Sequence, residues 1–293
     1  VSDTALASDL AIPAPAARFG STGPEHCIAH RADGVYADPA VLGTTVLAAV
    51  DGIFRSGHVL RGIDYPVLIK ALYGSGPALP VGPDGQPVAR IAADIVPFNV
   101  QRRGLYRSVK IAGGAAEYCF EPVFLAGPGG EGEIATRLDL DEFVADMWLK
   151  GIRFGIDLAS VRAGIANPGS GRVVVARRLE PEAGIDAVVV EVSDDIHRSD
   201  APRQLSNGKL DLMCFQNRFP QVQGGTRLLQ KLPTRPGKPG FELSGIRIEP
   251  APPADLDFAA YAGEGTSIEK SAAGDFLVAT RTGFLNADPK THR

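Results

Sequence analysis

The sequence predicts an α+β N-terminal region followed by an all-β region. Three observations carry that reading. Capped segments with apolar residues at helical spacing occur only before about residue 170, and β-branched runs take over after it. Gly (34) and Pro (23) are also frequent enough to punctuate many short strands. With 44% hydrophobic and 22% charged residues in 293, the composition is that of an ordinary globular chain long enough for a large buried core.

Residues 1–24 are rich in Ala, Ser, Pro and Gly and read as a mobile leader. Val1–Ala17 lacks the basic start and long apolar run of a secretory signal. Residues 25–112 read as an N-terminal α/β segment. There Cys27–Ala32 predicts a strand and Asp33-Gly34 a turn. Thr44 or Thr45 caps a helix carrying Val46, Leu47, Val50, Ile53 and Phe54, which ends at Gly57. Asp64 caps a second helix, with Pro66 in its first turn, Val67, Leu68, Ala71 and Leu72 as its stripe and Gly74 as its stop. Ser75–Gln86 is a loop, and Val88–Val100 is extended with one break at Pro97.

Residues 113–171 read as an α+β module. Glu117–Leu125 alternates like a strand, and Gly127–Gly132 is a turn. Asp139 followed by Glu142 resembles a capping box for a helix whose core face is Leu140, Phe143, Val144, Met147 and Trp148. Ile152–Ile156 links it to a helix capped by Asp157, with Leu158, Val161 and Ile165 inward and Asn167-Pro168-Gly169 closing it. Residues 172–293 read as a β-rich domain, with strands predicted at Val173–Val175, Ala187–Val190, Leu210–Phe215, Thr226–Leu232, Phe241–Ile248 and Phe276–Thr280.

Several function classes drop out at this level. A net charge of −4 argues against a bulk nucleic-acid binder. The sequence has no run of 18 apolar residues that would form a membrane-spanning helix. Three widely spaced cysteines, Cys27, Cys119 and Cys214, point to a reducing cytoplasm rather than a disulfide framework. Gly74-Ser75-Gly76, Gly127-Pro128-Gly129-Gly130 and Gly224-Gly225-Thr226 lack the spacing of phosphate loops and read as turns. No nucleophile elbow, CxxC or HExxH occurs, so no catalytic residue, metal ligand or cofactor is assigned. His26 and His30, four apart among Gly and Pro, read as loop histidines.

Two clusters carry what chemistry is visible. Arg102, Arg103, Arg107 and Lys110 form a basic patch with Asp94 as the sole acid nearby, and are the candidate protein-partner face. Asp194, Asp195 and His197 form the tightest acid–histidine cluster. It is the place where the alternative reading, a metal-dependent enzyme on phosphorylated or nucleotide substrates, would have to be built. A further segment, Leu232–Gly245, packs three Pro and two Gly into eight residues and predicts a rigid corner.

Three stretches resemble the flagellar assembly protein A (FapA) family of bacteria. Asp139–Ile165 is similar to that family's helix, GI-x-x-GI link and second helix. Val173–Val192 is similar to its strand, P-x-x-G-x-D and strand, with Arg178-Leu179-Glu180 where a Gly is usual. Leu228–Gly245 matches P-T-x-G-x-P-G, with Arg235-Pro236 where one residue is common, and Ala262–Gly283 looks like its sequel with Thr282-Gly283 in place of Asp-Gly. The resemblance implies a cytoplasmic, non-enzymatic scaffold or regulator in flagellar assembly or polar localisation, acting through flagellar, polar or signalling proteins. It also implies the start of a right-handed parallel β-helix in 172–293, truncated here, with stacked uncapped coils able to form a homo-oligomer or a polymerising module.

Overall fold

A computed structural model describes residues 27–127, 132–169, 171–193, 196–197, 199–217, 219–272 and 274–285. The leader predicted over 1–24 lies outside them. The chain forms two units. The first runs to Leu179 and takes in Phe241–Ile246; the second comprises Glu180–Gly240 and the residues from Arg247 onward.

The first unit begins with β1 (Ile28–Arg31), β2 (Gly34–Ala37), α1 (Thr44–Arg55), β3 (His58–Arg61), α2 (Tyr65–Tyr73), β4 (Ala89–Ala92), β5 (Asp94–Pro97) and α3 (Val100–Arg103). It continues with β6 (Lys110–Ala112), β7 (Ala115–Cys119), β8 (Val123–Ala126), β9 (Glu133–Thr136), α4 (Leu140–Leu149), α5 (Leu158–Ala166) and β10 (Arg172–Arg177). Its sheets are small: β1-β2-β4, β3-β5, β10-β7-β6 and β8-β9. The extended stretch predicted at Val88–Val100 is two strands in different sheets, and Glu117–Leu125 is likewise interrupted between β7 and β8.

The helices follow their caps. Asp64 accepts the Val67 N–H at 3.2 Å, and Gly74 stops α2 in the left-handed region at φ 67°. Asp157 caps α5 through the Ala159 and Ser160 N–H groups. α1 differs from expectation: its N-cap is Gly43, with no side-chain bond. α4 is capped by Asp139, but Glu142 does not complete the box; it turns inward and is buried. Trp148, Phe143, Met147 and Phe54 are among the buried side chains of the core on which α1 and α4 pack.

The second unit contains β11 (Val188–Glu191), β12 (Ser199–Gln204), β13 (Leu210–Asn217), β14 (Gln221–Val222) and β15 (Arg227–Leu232). After the short strands β16 (Gly240–Phe241) and β17 (Arg247–Ile248) come a 3-10 turn at Phe258–Tyr261, β18 (Thr266–Ser271), β19 (Gly274–Ala279) and β20 (Gly283–Phe284). Its largest sheet has the order β11-β15-β19-β18. Val222, Leu228, Leu229, Phe258, Leu277 and Ala279 form its separate core.

This corrects the β-helix expectation. Among the described residues the strand pairings are antiparallel, joined by hairpins and small sheets, with no stacked parallel coils. The physical reason is that β-branched runs between Gly/Pro corners satisfy either architecture. Strand direction is set by partner pairing, which composition does not encode.

Candidate functional site

The structure places the four residues of the predicted basic face in different settings. Arg102, on α3, is turned into the protein. Its Nε donates to both carboxylate oxygens of Glu142 at 2.8 Å, and its other nitrogens donate to the Arg137 carbonyl at 2.9 Å and Thr136 Oγ1 at 3.3 Å. The Tyr106 hydroxyl donates to Glu142 Oε2 at 2.7 Å. The Glu142 hydrogen bonds hold the Arg102 guanidinium in its charged form against partial burial, while burial and then Glu142 push the Tyr106 hydroxyl far above its ordinary range. The cation is thus consumed by a buried acid and phenol, and the three groups satisfy one another.

Arg103 donates to the Gly57 carbonyl at 3.0 Å and lies over the Phe98 ring at 5.3 Å. Arg107 and Lys110 remain exposed. Arg107 approaches Glu121 at 3.8 Å, and its backbone is held by the Tyr118 hydroxyl and by Lys150 Nζ. Lys110 sits on the edge strand β6, opposite Glu117 of β7, beside the 55% exposed Ile111. What survives of the patch is a short edge with two cations and one apolar side chain.

A second polar node was not visible in the sequence. Asp51 on α1 accepts from Trp148 Nε1 at 3.0 Å and from Arg153 at 3.0 Å, and pairs with Arg55 one turn away. The Arg153 guanidinium lies 5.4 Å from the Trp148 ring centroid. Neighbouring Phe154 stacks on Phe241 at 4.9 Å and meets Tyr73 edge-on at 5.3 Å. The Leu243 carbonyl accepts from Arg153 and Phe154 N–H at 2.7 and 3.0 Å, and the Tyr73 hydroxyl fills the space where a Gly245 Cβ would stand. The end of the Pro/Gly corner is therefore a core element of the first unit.

The two Gly/Pro motifs are halves of one structure in the second unit. Glu182 and Lys238 exchange backbone hydrogen bonds at 2.9 and 3.0 Å, as do Ile185 and Arg235 at 2.9 Å. Glycine is needed where they touch. A Cβ on Gly237 would lie 2.2 Å from the Glu182 carbonyl oxygen, and one on Gly184 2.7 Å from that of Arg235. The Asp186 carboxylate ties the pair to the Ala254 N–H at 2.8 Å.

Of the weaker sequence candidates, Asp194 and Asp195 lie outside the described residues, and the His197 ring pairs with Glu191 at 2.7 Å. His26 is likewise outside them. His30 pairs with Asp94 at 2.8 Å in a shallow hollow with Arg31, Ala32 and Ala93. Among the described residues no group of three His, Cys, Asp or Glu side chains is arranged to hold a metal ion. No helix among them is long and apolar enough to cross a membrane.

Residues 128–290, more than half of the chain, match the Flagellar Assembly Protein A N-terminal region. The chain belongs to that family. Membership of the FapA family associates it with flagellar assembly. The match takes in α4, α5 and both Gly/Pro motifs, so the FapA region spans segments of both units. Neither a curated protein nor a solved structure matches the chain.

Proposed function

We propose that this FapA-family chain serves flagellar assembly or the polar placement of flagella by binding other proteins in the cytoplasm, and not by catalysis. The family match over 128–290 carries the reading. Two structural features support it. Among the described residues Cys27, Cys119 and Cys214 form no disulfide, which is compatible with a reducing compartment. The β6 edge offers, among the described residues, unpaired backbone groups beside Lys110, Arg107 and exposed Ile111, a combination suited to adding an extended acidic segment of a partner as a further strand.

The test is genetic. Deleting the gene in its flagellated host should reduce or misplace flagella counted by electron microscopy, and the wild-type gene should restore them. A variant carrying Arg107→Glu and Lys110→Glu, folded by circular dichroism, should restore them poorly. Normal flagella in the deletion strain would end the proposal; full rescue by the variant would remove the β6 edge from it.

A further inference from the structure

We propose that the β12–β13 hairpin is a self-association edge that pairs with the same hairpin of a second copy, two-fold about Leu210. The inference stands apart from the flagellar reading and needs none of it.

The hairpin forms a two-stranded sheet, so among the described residues the outer edge of β13 is unpaired. The strand carries exposed apolar side chains at Leu210 and in the bulge that follows Asp211. Leu210, Leu212 and Met213 are 58, 73 and 89% exposed. Its register shows which backbone groups face outward. Leu205 N–H donates to the Lys209 carbonyl at 2.8 Å, so 205 and 209 are a hydrogen-bonded pair. The next pair, Gln204 and Leu210, then turns its N–H and C=O groups away from the hairpin. Leu210 therefore presents both a donor and an acceptor to a strand arriving at the edge.

The charges select the occupant. Lys209 and Asp211 flank Leu210 on the face opposite to the Leu210 side chain. When two such strands run antiparallel with Leu210 opposite Leu210, Lys209 of each copy stands across from Asp211 of the other. Leu210 exchanges two backbone bonds with its counterpart; the hairpin's own register shifts beyond Asp211, so the paired segment is the short stretch Lys209–Asp211. The edge is its own complement, as an isologous two-fold contact requires. Asp211 is already fixed in place, since its Oδ1 accepts the Met213 N–H at 3.0 Å, leaving the other oxygen for the incoming lysine. Backbone bonds and leucine burial supply the affinity, and the two cross-copy ion pairs set the register.

Sedimentation velocity over a concentration series tests this. The wild-type chain should pass from monomer to dimer. K209D and D211K should each weaken dimerisation about tenfold or more, because each sets like charges across the two-fold axis. Mixing the two variants should restore it, since the mixed pair again opposes unlike charges at both positions. The mixture also handles a local effect, because Arg203 lies opposite Asp211 within the hairpin. Strain there in D211K cannot be repaired by a second chain. A wild type that stays monomeric, single variants that associate as well as wild type, or a mixture no better than its components would each overturn the proposal.

Discussion

Arg102 Nε lies 2.8 Å from each carboxylate oxygen of Glu142, 40 positions along the chain, and this pair fixes α3 against the start of α4. Both side chains are largely buried, at 19 and 6% exposure. Glu142→Ala strands a guanidinium in the interior and should lower unfolding free energy by about 3–5 kcal/mol. Replacing both partners by Met and Leu should recover much of that loss. Urea unfolding followed by the fluorescence of Trp148, the sole tryptophan, measures both.

Two tyrosines with buried hydroxyls should respond differently to loss of those hydroxyls. Tyr106 donates to Glu142, and Tyr106→Phe should cost about 1.5–3 kcal/mol, as for a bond to a charged group. The Tyr73 hydroxyl is buried without a hydrogen-bond partner, and burial raises its pKa to about 12. Tyr73→Phe removes an unsatisfied group and should leave stability unchanged or higher in the same urea titration.

Asp51 supplies acid sensitivity. Burial opposes its charge, but the hydrogen bonds from Trp148 and Arg55 and the Arg153 cation outweigh it, so its pKa falls below the ordinary 3.8. The carboxylate therefore contributes stability in full above that ordinary value, and the contribution is lost as pH falls through the lowered one. Asp51→Asn should be less stable at neutral pH by about 1–2 kcal/mol. The gap to wild type should close on acidification, which thermal unfolding measured from pH 7 to pH 2 would show as a shallower acid limb.

Two glycines separate strain from collision. Gly151 and Gly155 both have positive φ, at 85° and 73°. A Cβ at Gly151 meets nothing within 4 Å, whereas one at Gly155 would lie 1.8 Å from the Arg177 carbonyl oxygen. Gly151→Ala should cost about 1–2 kcal/mol of left-handed strain. Gly155→Ala should cost that plus about 1–3 kcal/mol of overpacking, and should show a markedly lower melting temperature.

How much could be read beforehand divides by range. The α2, α4 and α5 starts were legible because Asp64, Asp139 and Asp157 act on N–H groups two or three residues away. The Arg102 pairing was not, since a cluster of arginines looks the same whether it meets solvent or a carboxylate 40 residues on. Glu142 misled for the same reason: its spacing from Asp139 fits a capping box, and only the fold reveals a stronger partner. Val188–Glu191 and Arg227–Leu232 were recognisable as strands, but not their antiparallel pairing, because a β-branched run favours an extended backbone without fixing its neighbour.

The first unit borrows Phe241–Ile246 from far down the chain, and Tyr73 and Phe154 are covered by that loan. During synthesis, then, the ribosome must have extruded the whole Glu180–Gly240 insertion before this aromatic cluster can close. Until that moment the nascent chain carries an open apolar seam, and the order in which the two units mature is dictated by translation as much as by their separate stabilities.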